Sequence, residues 1–417
     1  MRFVHCADLH LDSPFECLSA TNPFIAATLR EATFKAFENV IDLAIAREAD
    51  FILIAGDVYD GADRSLRAQL RFRDGLARAA EHGIWSFVVH GNHDPISGWE
   101  AGLHFPREVV RFGDSVDVIA FERNGELLAE IHGISYRTRD TRENLALLFR
   151  RRSSEVPAIG LLHCNVGRQA GHENYAPCDL NDLYQTGMDY WALGHIHKCL
   201  VINQSHPCIA YPGTTQGRSA REVGPHGCYL VELESSGRAS NAFVEVDGVR
   251  WWNESVDIEG LASLDDLLES MRSRMERLRI DAAGRPSLVR FCLTGHGRVH
   301  RILRREDALA DILEELRKGE RDREDFVWVD ALSDSTGNAI ELETYRDSPD
   351  FIGELMRTIA RFRSLPNGAD ALRELIAKDH GTEYSKVRRW LSEETLLSAL
   401  DKAEAIALDL LLKEETP

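Results

Sequence analysis

The sequence has no apolar run approaching the length a membrane-crossing helix needs. It has no cysteine pair at CxxC spacing, no internal repeat and no low-complexity segment. The missing CxxC spacing argues against a zinc knuckle or a disulfide framework. The eight cysteines, at 6, 17, 164, 178, 199, 208, 228 and 292, therefore read as reduced and mostly buried thiols. No secretory leader is expected: only a short apolar stretch follows Met1-Arg2, and Asp8 and His10 already look like working residues, so a cytoplasmic address is expected. Basic charge is also scarce, with 49 Lys and Arg against 68 Asp and Glu and a formal net charge of −19. Such a chain does not coat nucleic acid non-specifically, because phosphate neutralisation needs Lys and Arg. An enzyme that holds nucleic acid locally, through metal ions and a few arginines, is still allowed.

What is present is an ordinary globular balance, 44% hydrophobic and 28% charged over 417 residues, which predicts two or three units. Residues 1–250 read as α/β. Short apolar runs at Arg2–Cys6, Phe51–Ala55, Trp85–Val89, Ala158–Leu162 and Tyr190–Leu193 predict strands covered on both faces. Leu29, Thr33, Ala36, Phe37, Val40, Ile41 and Ala44 form one stripe of a helix from about Leu29 to Arg47, and 64–82 predicts a second helix. Asn124-Gly125 marks a hairpin between Val116–Phe121 and Leu127–Ile134. Strands recur at Tyr229–Leu233 and Phe243–Val246.

A small α/β unit is expected over 251–337, and a linker with a helical C-terminal region over 338–417. In the small unit a strand at 254–259 precedes a helix whose Leu264, Leu267, Leu268, Met271, Met275 and Leu278 stripe reads as core. The helical region is interrupted at Pro366-Asn367-Gly368, and its segment Thr395–Leu412 admits two readings: packing on its own protein or docking a partner. Two arginine runs, Arg150–Arg152 and Arg298, Arg301, Arg304 and Arg305, likewise admit a solvated face or a binding patch.

Five motifs follow apolar strands in order. They are Asp8-Leu9-His10, Gly56-Asp57-Val58-Tyr59-Asp60, Gly91-Asn92-His93-Asp94, His163-Cys164-Asn165 and Gly194-His195-Ile196-His197. Open α/β sheets place their sites at such strand ends. One histidine after a strand is usually a satisfied core residue; five motifs in sequence are hard to assign to chance. Phosphoester hydrolysis must stabilise charge on the attacking and the leaving oxygen. Two metal ions roughly 4 Å apart do both and generate hydroxide near neutral pH. Such a pair needs one bridging carboxylate and a rim of nitrogen and oxygen donors. Mixed imidazole, carboxylate and amide donors suit manganese, iron or zinc better than calcium. In an extended Asp-x-His or His-x-His step the first and third side chains point the same way. Gly56, Gly91 and Gly194 let the backbone turn tightly beside the ions.

These residues resemble the calcineurin-like metallophosphoesterase superfamily over residues 1 to about 250. The N-terminal Asp8-Leu9-His10, the Gly-Asn-His-Asp motif and Tyr211-Pro212-Gly213-Thr214-Thr215-Gln216-Gly217-Arg218 resemble its SbcD and YhaO-type branch of DNA-repair exonucleases. The resemblance implies a four-layer αββα sandwich, a small capping domain and a helical tail. It implies one metal held by Asp8, His10, Asp57 and His197, and a second by Asp57, Asn92, His163 and His195, with Asp57 bridging and manganese the expected ion. His93 would face the scissile phosphate, Asp94 would orient His93, and Asp60 stands where some relatives carry histidine, with no role beyond support. Arg218 would contact a nucleic-acid phosphate or form a structural salt bridge. Histidines outside the motifs, His5 and His90 among them, read as structural or exposed.

The implied activity is 3′ to 5′ exonuclease with some endonuclease cutting, paired with an SbcC-like coiled-coil ATPase and often dimeric, without membrane attachment. The alternative is a metallophosphatase acting on phosphoproteins or small phosphoesters. Protein phosphatases of the superfamily usually carry Arg after the second-motif Asp and Glu closing the third motif, where this chain has Gly61 and Asp94. A retired, non-catalytic scaffold would have lost a ligand, and every expected ligand is present.

Overall fold

The computed structural model describes residues 1–15, 22–61, 64–167, 173–338, 349–365 and 368–374, with isolated positions from 396 to 407. Among them no helix is long and apolar enough to cross a membrane. The described residues fall into two compact units, one from 1–253, 277–289 and 319–330 and the other from 254–276, 290–318 and 331–417.

The first unit is built on two six-stranded mixed sheets. Strands β1 (Arg2–Cys6), β2 (Phe51–Ala55), β3 (Trp85–Val89) and β4 (Val109–Arg111) run parallel, and β11 (Gly227–Leu233) and β12 (Ala239–Glu245) complete that sheet antiparallel beside β1. The second sheet has the order β5-β6-β7-β8-β10-β9. Its strands are β5 (Asp117–Arg123), β6 (Glu126–Gly133), β7 (Ala158–His163), β8 (Tyr190–Gly194), β9 (Leu200–Asn203) and β10 (Cys208–Tyr211).

One cluster, with Phe3, Phe51 and Phe87 from the first sheet and Ile131, Ile159, Leu161 and Tyr190 from the second, fills the space between the sheets. Phe51 stacks on Phe3 and meets Phe121 edge-on, each at 4.9 Å between ring centroids. Helices α1 (Pro23–Ala46) and α2 (Leu66–Glu81) cover the outer face of the first sheet through Phe37, Val40, Ile41, Phe72 and Leu76. The outer face of the second is covered by a 3-10 turn at Leu145–Leu148, a short helix at Leu180–Tyr184 and the loops around them. The fourth layer of the expected sandwich is thus mostly loop.

Helix α1 begins six residues before the stripe-based expectation. Asn22 caps it, its side chain accepting from Phe24 N and Ile25 N, and Pro23 supplies a preset φ in the first turn.

Strands β13 (Arg250–Asp257), β14 (Ser287–Thr294) and β15 (Val327–Asp334) form a third sheet in that order. The strand expected at 254–259 therefore starts earlier, at Arg250. In the helix Leu264–Asp281 the expected stripe is buried at Leu267, Leu268, Met271, Met275 and Leu278 and only half-buried at Leu264. A helix Phe351–Ser364 is capped by Asp350, which accepts from Gly353 N. The break at Pro366-Asn367-Gly368 and the helix expected at Thr395–Leu412 lie for the most part outside the described residues.

His5 is a polar link between the two large sheets. Its Nε2–H donates to the Leu193 carbonyl at 3.2 Å, and its Nδ1 accepts from the Tyr190 hydroxyl at 3.0 Å. Burial drives its pKa down to about 3, with the Leu193 carbonyl opposing only in part. Both states hold a neutral ring above the unfolded value near 6.5. Below it the unfolded chain gains a proton that the native protein refuses, so this contribution to stability is lost as pH falls from about 6.5 toward 3. Between pH 6.5 and 4.5 the metal-free protein is predicted to lose about 2–3 kcal/mol more unfolding free energy than its His5→Gln variant. Urea titrations at the two pH values check this, and equal losses would contradict it.

Candidate metal centre

Parallel strands end where side chains from neighbouring strands can meet, and here the ends of both sheets converge. His163, the last residue of β7, donates Nδ1–H to the carbonyl of Ala55, the last residue of β2, at 2.9 Å. Asp8 N donates to Gly56 O, His10 N to Asp57 O and Leu11 N to Val58 O, which prolongs the β1–β2 pairing past both strands. The prolonged segment is strained at Asp8 (φ 51°), His10 (43°) and Asp57 (48°), and so is His195 (102°) just past β8; all four occupy the left-handed region that L-residues avoid. Each such residue costs about 1–3 kcal/mol, which the surrounding backbone bonds must hold in place. Glycine relieves the closest approaches. A Cβ on Gly91 would collide with Asp57 Oδ1 and the His163 ring, and one on Gly194 with the Ala55 carbonyl.

The geometry is organised around Asp57. Its Oδ1 accepts from His93 N at 2.9 Å, and its Oδ2 lies 3.4 Å from His163 Nε2 and 3.9 Å from His10 Nε2. Asn92 Oδ1 is 3.0 Å from the same His163 nitrogen. Because His163 Nδ1 carries the proton given to Ala55, its Nε2 presents a lone pair to two oxygen acceptors.

A second facing pair lies beside it. His10 Nδ1 is 3.0 Å from Asp60 Oδ1, and His197 Nδ1 is 2.8 Å from Glu222 Oε1. His197 donates to its carboxylate, His10 lies against its own, and both rings turn Nε2 inward, so the two Nε2 atoms meet at 3.3 Å. Acceptors facing acceptors at such distances demand positive charge between them. Burial holds His10 and His163 down to about 4, so neither ring carries that charge near neutrality; burial also works against a charged His197, but Glu222 and Asp8 outweigh it and raise its pKa, so a protonated His197 can donate Nε2–H to His10. Burial also pushes the Asp8 carboxyl up to about 8, and the nearby Asp57 adds to the rise. The donor set therefore fits divalent cations, and each imidazole is oriented by an outer partner, as metal-binding histidines usually are. Asp8, His10 and His197 offer ligand atoms within 4.8 Å of one another, as do Asp8, Asp57 and His163.

His195 belongs to the same pocket in a different way. Its N–H donates to both Asp8 carboxylate oxygens at 3.1 Å, its Nε2–H donates to the Glu173 carbonyl at 2.7 Å, and its ring lies 5.1 Å from that of His163. His93 is more exposed. It lies 5.0 Å edge-on from His10, with Nδ1 donating to the Asp60 carbonyl at 3.2 Å.

Asp94 requires a correction. It does not orient His93: its Oδ2 accepts from Val58 N and His90 Nδ1, and its Oδ1 from Gly91 N, all at 2.8–2.9 Å. Burial works against its charge, but His90, Arg64 and the Gly91 N–H hold it below the ordinary carboxylate range. A three-residue turn aims the carboxylate back at its own loop, leaving Asp60 as the group that faces His93. Asp60 was given no role beyond support, yet it touches His10, His93, Ser13 and Arg218. Arg218 sits mostly buried, donating Nη1 to Asp60 Oδ1 at 3.0 Å and to Ser13 Oγ at 2.9 Å.

Three further participants escaped the sequence reading. Glu222 orients His197 and accepts from Arg218 N; Glu173 receives His195; and buried Arg64 donates to the Asp94 and Pro95 carbonyls. None sits in a recognisable motif, though Glu222 lies only four residues beyond Arg218.

Residues 1–199 match the family model for calcineurin-like phosphoesterases, and 251–337 match that for the middle domain of metallophosphoesterase YhaO. Over 362 residues the chain is 38% identical to the uncharacterized metallophosphoesterase YhaO of Bacillus subtilis, with 87% of each chain covered. The chain belongs to the calcineurin-like metallophosphoesterases, in their YhaO-type branch. It is also 26% identical over 251 residues to the DNA double-strand break repair protein Mre11 of Aeropyrum pernix, covering 55% of this chain and 57% of that one. With the protein of the same name from Archaeoglobus fulgidus it shares 28% over 279 residues, 62% of this chain and 59% of the other. Less than two thirds of either archaeal protein is spanned.

In this phosphoesterase, Glu222→Gln is predicted to weaken binding of a divalent cation, with manganese as the probe, about 10–100-fold, because His197 loses the carboxylate that fixes its tautomer and adds to its basicity. Calorimetric titration of the metal-free protein reads this directly. An unchanged affinity would contradict the orientation argument.

Proposed function

We propose that this phosphoesterase is a metal-dependent DNA nuclease that hydrolyses phosphodiesters with two divalent ions, most naturally manganese. Asp8, His10, Asp57 and His197 would hold one ion, and Asp57, Asn92, His163 and His195 the other. Bound there, the ions supply Lewis-acid charge for the attacking and leaving oxygens and lower the pKa of water.

The remaining work falls to this chain's own groups. Asp57 holds His93 N with one oxygen and faces His163 and His10 with the other, so the phosphate-facing histidine and the metal ligands share one anchor. His93 Nδ1 is engaged by Asp60, which reserves Nε2 for the substrate. There the ring would steady charge on the phosphate and pass a proton to the leaving oxygen. Asp94 and Arg64 act behind it by holding the loop that carries Asn92 and His93.

The observation that carries this reading is the lone-pair confrontation of His163 with Asp57 and Asn92, with the His10 and His197 rings 3.3 Å apart beside it and an accessible His93. DNA as the substrate draws support from the two archaeal relatives, whose names refer to DNA double-strand break repair. We propose further that cutting runs 3′ to 5′ with single-strand endonuclease activity, that an SbcC-like coiled-coil ATPase partners the chain, and that it forms a homodimer. A cytoplasmic site of action accords with the seven described cysteines, all free thiols.

With manganese, end-labelled DNA is predicted to be shortened from its 3′ end, and chelator to stop the reaction. His93→Ala should lower kcat about 10²–10⁴-fold, and Asp57→Asn should abolish measurable cutting. Undiminished cutting by both variants, or turnover of an aryl phosphate monoester with DNA left intact, would overturn the assignment.

A further inference from the structure

The segment Tyr136–Arg142 passes along the rim of the metal centre and is pinned to it at both ends. At its start Tyr136 N donates to His90 O at 3.0 Å, and the Tyr136 ring meets His163 edge-on at 5.5 Å. At its end Ala176 N donates to Thr141 O at 2.8 Å, and the Arg142 guanidinium lies 4.8 Å over the Tyr175 ring, which itself meets His195 edge-on at 6.0 Å. Arg137, Arg139 and Arg142 all emerge exposed from this short stretch of a chain whose net charge is −19.

A second rim segment runs alongside. Ile96 N donates to Tyr136 O and Ser97 N to Arg137 O, so the residues after His93 pair with the arginine segment. Two residues further, Trp99 exposes 53% of its surface. An exposed aromatic ring on a segment paired with one that carries exposed arginines is the combination that single-stranded nucleic acid uses: arginines follow the phosphates, and the aromatic face takes an unpaired base.

We propose that Trp99 and the arginines of 137–142 form a track for single-stranded nucleic acid leading to the metal centre, an inference that rests on the nuclease reading. The acidic partners present are weak competitors. Arg137 Nε is 3.7 Å from Asp114, and Arg142 meets Asp140 and, at 3.8 Å, Glu173, all in exposed pairs of little net worth. A phosphodiester backbone displaces such carboxylates readily. Duplex DNA hides the base faces that Trp99 would stack, so the track selects unpaired strand. A small phosphomonoester reaching the ions would use neither Trp99 nor Arg137.

The test compares manganese-supported cleavage of single-stranded oligothymidylate with turnover of a bis-aryl phosphodiester by the full chain. Trp99→Ala is expected to raise KM for the oligonucleotide about 5- to 100-fold, lowering the ratio of oligonucleotide to aryl-ester kcat/KM, and Trp99→Phe to restore most of it. Arg137→Gln is expected to flatten the dependence of log KM on log salt by about 0.7. Oligonucleotide cleavage with the ratio and the salt slope unmoved in these variants would overturn the track and leave the nuclease reading standing. Wild-type protein that turns over the aryl ester and never cuts the oligonucleotide would overturn both.

Discussion

Buried acceptors that face one another at hydrogen-bonding distance without a donor between them repel, and a fold keeps them together only for a cation. At the edge shared by the two large sheets, His163 Nε2 confronts Asp57 and Asn92, and the His10 and His197 rings meet 3.3 Å apart in the same pocket. Much else in the first unit serves that confrontation. Strained backbone at Asp8, His10, Asp57 and His195 brings the side chains inward, and outer carboxylates or carbonyls fix each tautomer. Without ions the site costs stability through strain and burial of charge; with them the same features become preorganisation.

The surrounding core makes the strain affordable. Phenylalanines and branched residues between the sheets hold β1, β2, β7 and β8 in fixed relation, and burying each such side chain contributes about 1.5–3 kcal/mol. The His5 bridge to Tyr190 and Leu193 ties the same strands together with directional bonds. Positional accuracy at the ligands is therefore inherited from packing several residues below them.

Much of this was legible in the sequence because it is local. Short apolar strands, the glycines before Asp57, Asn92 and His195, and the Asp-x-His and His-x-His steps all carry their meaning within a few residues. What stayed hidden depends on distant approach. Glu222 reaches His197 across 25 residues, Asp60 serves His10, His93 and Arg218 at once, and Asp94 turns to His90 rather than His93. Periodicity names the face of a helix or strand, but it does not say which loop carboxylate will find which ring. The early start of α1 was a different kind of miss, since Asn22-Pro23 is a readable start signal that the apolar stripe alone does not include.

Anomalous scattering from crystals grown with manganese addresses the central claim most directly. The account predicts two peaks flanking the Asp57 carboxylate, one beside His10 and His197 and the other beside His163 and Asn92. Absence of both peaks at saturating manganese, with the His10, His163 and His197 rings keeping their present contacts, would contradict it.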